Sequence, residues 1–290
     1  MLLLAGDIGG TKTTLAIFSS DSGPHTPLAE ATFPSAAYAS LEAIGQEFLG
    51  RVSMPVECGC FGVSGPVMSG MAQITNLPWV IEESNLCSVL GLGAAHLLND
   101  LEAIASGIPI LSSDDLHTLN QGQPEPHGAI AVIAPGTGLG EAYLTWEGEG
   151  AAGRYRAHPS EGGHADLAPH TPLQLELVRY LMDRYGHVSC ERVCSGMGLP
   201  NIYDFLRATG RAEEPEWLAE KLTTVSDPTP VIAGAALDEA TPCLICRTTL
   251  DLFVALLGAE AGNLALKVLA TGGVYLAGGI PRHILPALDA

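Results

Sequence analysis

Two glycine-rich turns are the parts of the sequence best suited to hold an anion. The first, Gly6 to Thr11, has the sequence GDIGGT, and the second, Gly136 to Gly140, has the sequence GTGLG. Glycine tolerates positive φ and close backbone approach, so consecutive N–H groups can point at phosphate oxygens. Neither turn is a Walker P-loop or a Rossmann fingerprint, because the spacing and the following residues are wrong. A tight hairpin turn explains either glycine run alone, but two such turns in matched positions favour nucleotide binding.

Two acidic residues could supply a base and a metal ligand. Asp100 follows Asn99 at the start of a predicted helix. Asp100 could take a proton from a substrate hydroxyl there, and Asn99 could bind the same substrate. Capping of the helix is the plainer explanation of this pair. Asp7 could hold Mg²⁺ through water, and Thr11 adds a hydroxyl donor.

The segment Glu161-Gly162-Gly163-His164 places a carboxylate and an imidazole three residues apart across two glycines. Such a loop can bring both side chains onto one small polar ligand, although a turn with two solvated side chains would look the same. Glu191 is a further candidate, with a surface ion pair to Arg192 as its alternative. Asp166 is equally ambiguous.

A repeated hairpin positions the two glycine turns. The runs Leu2 to Asp7 and Thr13 to Ser19 flank the first turn, and Ala129 to Ala134 and Ala142 to Trp146 flank the second. The polar segment Asp114 to His127 separates the two patterns and is the best linker candidate. This repetition predicts a duplicated α/β unit, with a cleft between the halves.

Helical patterns connect these hairpins. Thr171 to Tyr185 is the clearest, because Thr171 and Gln174 form a capping-box pattern and Pro172 occupies the first helical position. Further helices are predicted after Ser40, over Leu199 to Ala208, and over Leu244 to Ala270, the last with a possible break near Gly258 or Gly262.

Composition limits the class of partner. The 290 residues include 13 Lys and Arg against 32 Asp and Glu, giving a formal net charge of -19. Nucleic acid and anionic membranes bind chiefly through Lys and Arg, so neither is expected as a partner. No signal peptide or membrane-spanning run is predicted. The seven cysteines form no regular framework, and we expect buried thiols of a reducing cytoplasm.

The chain resembles the bacterial glucokinase family, the branch of the hexokinase-like sugar kinases with an EGGH sugar loop. The matching stretches occur in order between Leu4 and Ile280: AGDIGGTKTTLAIF, GVSGPV, TNLPWVI, LLNDLEAIASGI, APGTGLGEAYL, SEGGHADLAP, ERVCSGMGLPNIYDFL and GGVYLAGGI. The zinc-binding cysteine cluster of the related ROK sugar kinases is not found, which favours the non-ROK branch.

The resemblance implies an α/β fold of the actin/Hsp70 type, a duplicated ribonuclease H-like unit whose two lobes close on a central cleft. A small lobe, residues 1–110, would hold the first phosphate turn and Asn99-Asp100. A large lobe, residues 111–290, would hold the second phosphate turn and the sugar loop. The activity implied is transfer of the γ-phosphate of ATP to the 6-hydroxyl of glucose.

The family's functional residues carry over position by position. Asp100 matches the catalytic base. The residues that match the glucose ligands or lie beside that pocket are Asn76, Asn99, Asp100, Glu161, His164 and Glu191. The residues that match the nucleotide-binding turns are Gly6, Asp7, Ile8, Gly9, Gly10, Thr11, Gly136, Thr137 and Gly138, with Gly278 and Gly279 near adenosine.

One departure from the family pattern concerns the end of the chain. The pattern continues beyond AGGI into a further strand and a terminal helix that returns to the small lobe, and the sequence ends at Ala290 without them. We therefore expect a fragment or a lost end. The loss of apolar burial, at about 25 cal/mol per Å², would reduce stability by roughly several kcal/mol.

Alternatives remain open at the level of sequence. A related kinase could act on mannose, an amino sugar or a donor such as polyphosphate. A regulator that binds sugar or ATP without catalysis is the second alternative, and the retention of Asp100 argues against it. An inactive truncated product is the third. A homodimer is compatible with the family, but no interface is evident in the sequence.

Overall fold

The computed structural model describes residues 1–74, 76–149 and 152–289. The chain divides into two compact units, Met1–Gly107 and Ile108–Ala290. This division lies close to the boundary between residues 110 and 111 that the sequence predicts. Each unit has its own mixed sheet and its own apolar core.

The first unit is built on a five-stranded sheet. Its elements are β1 (Leu2–Ile8), β2 (Lys12–Ser19), β3 (Ala29–Pro34), α1 (Leu41–Val52), β4 (Cys58–Val63), β5 (Val67–Met68), β6 (Met71–Gln73), β7 (Val80–Glu82), α2 (Glu83–Leu90), β8 (Ala94–Asn99) and α3 (Asp100–Gly107). The main sheet has the order β3-β2-β1-β4-β8, and β5, β6 and β7 form a separate antiparallel sheet. Strands β1, β4 and β8 run parallel to one another, and β1, β2 and β3 form an antiparallel meander.

The second unit contains a four-stranded sheet and most of the helices. Its elements are β9 (Ile130–Pro135), β10 (Leu139–Glu147), β11 (Arg154–Ser160), α4 (Pro172–Tyr185), α5 (Gly198–Ala208), α6 (Glu216–Thr223), α7 (Thr229–Leu237), α8 (Leu244–Val268), β12 (Gly273–Leu276), α9 (Gly279–His283) and α10 (Leu285–Leu288). The sheet has the order β11-β10-β9-β12. As in the first unit, an antiparallel meander of three strands is extended by a parallel strand beside its first member.

Both hairpins predicted around the glycine turns are present. Ile8 pairs with Thr13 at the end of the first, and Pro135 pairs with Leu139 at the end of the second. Every residue of β9 is buried, as expected for a strand covered on both faces. The glycine turns therefore lie at the ends of well-packed strands.

The helix α8 extends without a break through Gly258 and Gly262, so the break considered there is wrong. Its buried residues include Phe253, Leu256 and Leu264, which pack into the core of the second unit. Glycine within a helix costs about 1 kcal/mol relative to alanine. Burial of one large apolar side chain contributes about 1.5–3 kcal/mol, so packing outweighs the two glycines.

The seven free cysteines are not all buried, contrary to the expectation from sequence. Four are buried, whereas Cys58 and Cys87 are partly exposed and Cys60 is exposed. Cys58 and Cys60 alternate with buried residues of β4 and lie on its outer face. No helix in the described ranges is long and apolar enough to cross a membrane.

The start of α4 tests one local prediction. The Thr171 hydroxyl accepts a hydrogen bond from the N–H of Gln174 at 3.2 Å. The Gln174 side chain accepts from the N–H of His170 at 2.9 Å, one residue before the position that a capping box would use.

Thr171→Ala removes the cap, and we expect the free energy of unfolding to fall by about 1 kcal/mol in urea denaturation. Thr118→Ala, at an exposed site in an irregular segment, is the control. Equal losses in both variants would contradict the capping role.

Candidate functional site

The parallel strands of the first unit bring three chain segments to one sheet edge. Strands β1, β4 and β8 end at Ile8, Val63 and Asn99, and these residues pair across the sheet. Ligands of open α/β sheets bind beyond the carboxyl ends of such strands. The first glycine turn and the Asn99-Asp100 pair therefore share an edge, although about 90 residues of sequence separate them.

The first turn is fixed through its carbonyl groups. The Ser35 hydroxyl donates to the Gly9 carbonyl at 2.7 Å, and the Ser64 hydroxyl donates to the Ile8 carbonyl at 3.1 Å. Within the described part of the chain, no acceptor takes the N–H groups of Gly10 and Thr11. A turn with satisfied carbonyls and free N–H groups is suited to an anion.

The residues before this turn have different roles. Gly6 and Ile8 lie inside β1, and a Cβ on Gly6 would lie 2.6 Å from the Phe61 ring. Gly6 is therefore required for packing of the core, whether or not it also binds a nucleotide. Asp7 is exposed on the opposite face of β1 from buried Ile8.

Asp100 begins α3 with its carboxylate partly buried. The N–H of Leu101 donates to Asp100 at 2.9 Å and to the Asn99 side chain at 3.0 Å, so both residues cap the helix. Burial raises the pKa of Asp100, and the negative charge of Asp7 raises it further, against the hydrogen bonds from Leu101 and Asn99. A carboxylate with a raised pKa is a stronger base. Capping and general-base chemistry are thus compatible at this position.

Asn76 lies in the turn between β6 and β7. Its φ of 70° is left-handed, a conformation that Asn adopts more readily than most residues. The turn is closed by the N–H of Ile74, which donates to the Trp79 carbonyl at 3.1 Å. Asn76 is exposed, and the preceding Thr75 lies outside the described residues.

The second glycine turn lies beside the Gly278 turn. Strands β9 and β12 are parallel, and the N–H of Ala277 donates to the Ile133 carbonyl at 2.9 Å. Gly278 has a φ of 83°, and a Cβ there would lie 2.6 Å from the Pro135 carbonyl oxygen. Among the residues described, no acceptor takes the N–H groups of Thr137 and Gly138. The second glycine turn and the Gly278-Gly279 turn, which the resemblance places near adenosine, are therefore neighbours in the second unit.

The three charged candidates of the second unit also come together. His164 Nδ1 lies 3.9 Å from Glu191 Oε1, and His164 Nε2 lies 3.8 Å from Glu161 Oε2. Glu191 Oε2 accepts from the N–H of Leu139 at 3.0 Å, within the second glycine turn. Arg192 lies over the ring of Tyr185 at 4.3 Å, and Asp166 pairs with His187 at 2.7 Å.

The two glycines of the loop lie tightly against β10. A Cβ on Gly163 would overlap the Leu139 carbonyl oxygen, and one on Gly162 would overlap the Glu141 carboxylate. The Ser160 hydroxyl accepts from the N–H of Gly162 at 3.0 Å. Gly162–His164 form one turn of 3₁₀ helix pressed onto the strand, and the flanking Glu161 and His164 side chains remain exposed.

Sequence reasoning missed a pair of buried carboxylates beneath this loop. Glu141 is 1% exposed and Glu260 is 3% exposed. The sequence carries a signal for both residues, an acid at a core-facing position. Glu141 occupies an inward position of β10, and Glu260 follows Leu256 by four residues on the apolar face of α8. A lone acid at a core-facing position needs a specific environment.

The chain has the α/β fold of the sugar kinase class. The fold agrees with this class: a glucokinase structure from an Antarctic psychrotroph superposes with a TM-score of 0.81 at 30% identity, covering 99% of this chain and 86% of that one. A ROK family glucokinase from Streptomyces griseus, in complex with glucose and AMPPNP, shares the fold at a TM-score of 0.60 and 19% identity, covering 99% and 87% of the two chains.

The family follows from the sequence comparisons. The glucokinase family model matches residues 4–290. The glucokinase of Nostoc punctiforme is 42% identical over an alignment of 303 positions, which covers 99% of this chain and 87% of that protein. The chain belongs to the glucokinase family.

Proposed function

We propose that this chain transfers the γ-phosphate of ATP to the 6-hydroxyl of glucose, with Asp100 as general base. The observation that carries the proposal is that Leu139, in the second unit, contacts both the candidate sugar-binding segments and the candidate phosphate turn. The Leu139 N–H binds Glu191, its carbonyl group lies under Gly163, and it directly follows the Gly136–Gly138 turn. Candidate sugar ligands and a candidate phosphate turn are therefore held by one residue of β10.

Each residue is assigned the chemistry that the family resemblance implies and that its surroundings allow. Asp100 accepts the proton of the 6-hydroxyl as that oxygen attacks the γ-phosphorus and the bond to the β-phosphate oxygen breaks. Glu161 and Glu191 accept hydrogen bonds from the other sugar hydroxyls. His164, Asn99 and Asn76 accept from these hydroxyls or donate to them. The free N–H groups at Gly10, Thr11, Thr137 and Gly138 stabilise the negative charge on phosphate, and Gly278 and Gly279 lie near adenosine.

Mg²⁺ fits this site only as an ion shared with the substrate. No group of three or more His, Cys, Asp or Glu side chains in the described ranges is placed to hold a metal. Asp7 offers one exposed carboxylate beside the first turn, which suits Mg²⁺ because this ion keeps several waters and binds substrate phosphates. When bound, Mg²⁺ supplies charge neutralisation at the phosphate oxygens.

We further assign the fold to the duplicated ribonuclease H-like class, of actin/Hsp70 type, and to the non-ROK branch. The shared sheet arrangement of the two units supports duplication, since each extends an antiparallel meander by a parallel strand. In this assignment residues 1–110 form the small lobe and residues 111–290 the large lobe.

We also propose that the enzyme works in the cytoplasm and binds neither nucleic acid nor membrane, consistent with its net charge of -19. Whether it forms a homodimer is tested by its mass in solution.

The direct test is formation of glucose 6-phosphate from ATP and glucose by the purified chain. We expect turnover with ATP and Mg²⁺, and activity on glucose above mannose and glucosamine. Preferential activity with another sugar, or with polyphosphate, would assign a different hexose kinase. A folded chain that binds ATP and glucose without turnover would instead be a binding protein.

The sugar loop is tested by Glu161→Gln. Hydrogen bonds to a charged group contribute about 1.5–3 kcal/mol, so we expect the KM for glucose to rise roughly tenfold or more while the KM for ATP stays unchanged. Steady-state kinetics with each substrate varied separately would measure both. Glu213→Gln, at an exposed glutamate, gives the same change of charge as a control. An unchanged KM for glucose in Glu161→Gln would show that Glu161 does not bind glucose.

A further inference from the structure

The loop that carries Glu161 and His164 rests on a buried carboxyl group. Glu141 is the third residue of β10, and its strand partner is Ser160 of β11. A Cβ on Gly162 would overlap Glu141 Oε2, so the loop backbone lies directly against this carboxyl group. A shift of the Glu141 carboxyl group towards Gly162 would therefore press on the loop backbone above it.

The surroundings of Glu141 oppose its ionisation. Its Oε1 is buried and has no hydrogen-bond partner among the described residues. Glu260 of α8 repels a second negative charge, and Lys267 of the same helix is the cation that favours one. The thiols of Cys190 and Cys194 also face this cluster, and Glu260 accepts from Cys190 at 3.2 Å and from Asn263 at 3.1 Å. Burial first and Glu260 second raise the pKa of Glu141 to about 7.

We propose that Glu141 is a positioning residue whose proton holds the sugar loop in its glucose-binding arrangement, so that loss of this proton weakens glucose binding. The neutral acid can lie beneath Gly162 beside the Glu260 carboxylate. The ionised form is repelled by Glu260 in a dry environment, where charges interact strongly, and its movement displaces the loop backbone. This inference rests on the proposed role of the loop in binding sugar.

The test is the pH dependence of the KM for glucose in wild type and Glu141→Gln. In wild type the KM should rise roughly tenfold between pH 6 and pH 8.5, while the KM for ATP stays constant. In Glu141→Gln, where a neutral amide of the same shape replaces the acid, the KM for glucose should stay near the wild-type value at pH 6. Other titrating groups contribute equally to both proteins, so the difference between the profiles isolates Glu141. Glu147→Gln, at the exposed end of the same strand, should follow wild type.

A stability measurement gives an independent readout. An unfolded glutamate releases its proton near pH ~4.3, whereas folded Glu141 holds it up to about pH 7. Ionisation therefore destabilises the folded state progressively as the pH rises through this interval. Glu141→Gln should melt at a higher temperature than wild type at pH 8, and the difference should close towards pH 5.

Three outcomes would overturn the inference. Parallel KM profiles in wild type and Glu141→Gln, with Glu161→Gln impaired in glucose binding, would show that the loop binds sugar without control by Glu141. An unimpaired Glu161→Gln would overturn the proposed sugar loop and this inference together. If Glu141→Gln does not fold, Lys267→Met serves instead, because loss of this cation should move the midpoint of the KM profile to higher pH. An unchanged midpoint there would also contradict the proposal.

Discussion

Asp100→Asn should lower kcat by about 10²–10⁴-fold, the usual cost of removing a general base. The amide oxygen of Asn can still accept the hydrogen bond that the N–H of Leu101 now donates to Asp100, so the helix cap is retained. Asparagine cannot take the proton of the attacking hydroxyl. We therefore expect the loss in kcat, with KM for glucose within a few-fold of wild type and an unchanged melting temperature.

The control for this variant is Glu102→Gln, in the first turn of the same helix. It removes one carboxylate from α3 without changing the residue assigned to proton transfer, so its kcat should stay near the wild-type value. Asp100→Ala gives a second comparison, because loss of the cap should lower stability by about 1 kcal/mol in addition to the loss of rate. Full activity of Asp100→Asn would exclude this carboxylate as the base and leave it only a capping role.

Local patterns predict the elements of this fold better than the pairing between them. The hairpin turns, the cap at Thr171 and the helix over residues 172–185 depend on neighbouring residues, and the structure confirms them. The continuity of α8 through Gly258 was missed because it depends on tertiary packing. The parallel pairing of β12 with β9 joins segments about 140 residues apart, a contact that no local pattern specifies.

In the candidate site, too, local patterns identify individual residues but not the contacts between distant segments. Residue types and spacing make Asp100, Glu161 and His164 candidates, but they leave helix capping and a solvated turn as alternatives, and the roles come from the family resemblance. The contact between Glu191 and the Leu139 N–H joins a 3₁₀ turn, Cys190–Arg192, to a strand about 50 residues earlier in the sequence. Spacing alone could not establish it. Glu141 is a different case, since an acid in an apolar strand is visible in the sequence, but its partner Glu260 lies more than 100 residues away.

Gly163→Ala should nearly abolish glucose phosphorylation at low glucose concentration. The added methyl group would overlap the Leu139 carbonyl oxygen, a backbone atom of β10 that cannot rotate away, so the loop itself must move. Glu161 and His164 flank this glycine, and both would leave their positions. A hydrogen bond contributes about 0.5–1.5 kcal/mol, or about 1.5–3 kcal/mol when one partner is charged, and 1.4 kcal/mol is about tenfold. Loss of one bond of each kind removes at least about 2 kcal/mol, so we expect kcat/KM for glucose to fall by at least about thirtyfold.

The matched control is Gly262→Ala in α8, where an added Cβ meets no atom within 4 Å. This variant should keep its KM for glucose and gain up to about 1 kcal/mol of stability, because alanine favours a helix more than glycine does. Binding of ATP separates a displaced sugar loop from general misfolding: Gly163→Ala should retain the wild-type affinity for ATP, measured by calorimetry. Wild-type kcat/KM for glucose in Gly163→Ala would contradict the packing of this loop on β10, because the methyl group has no other space there.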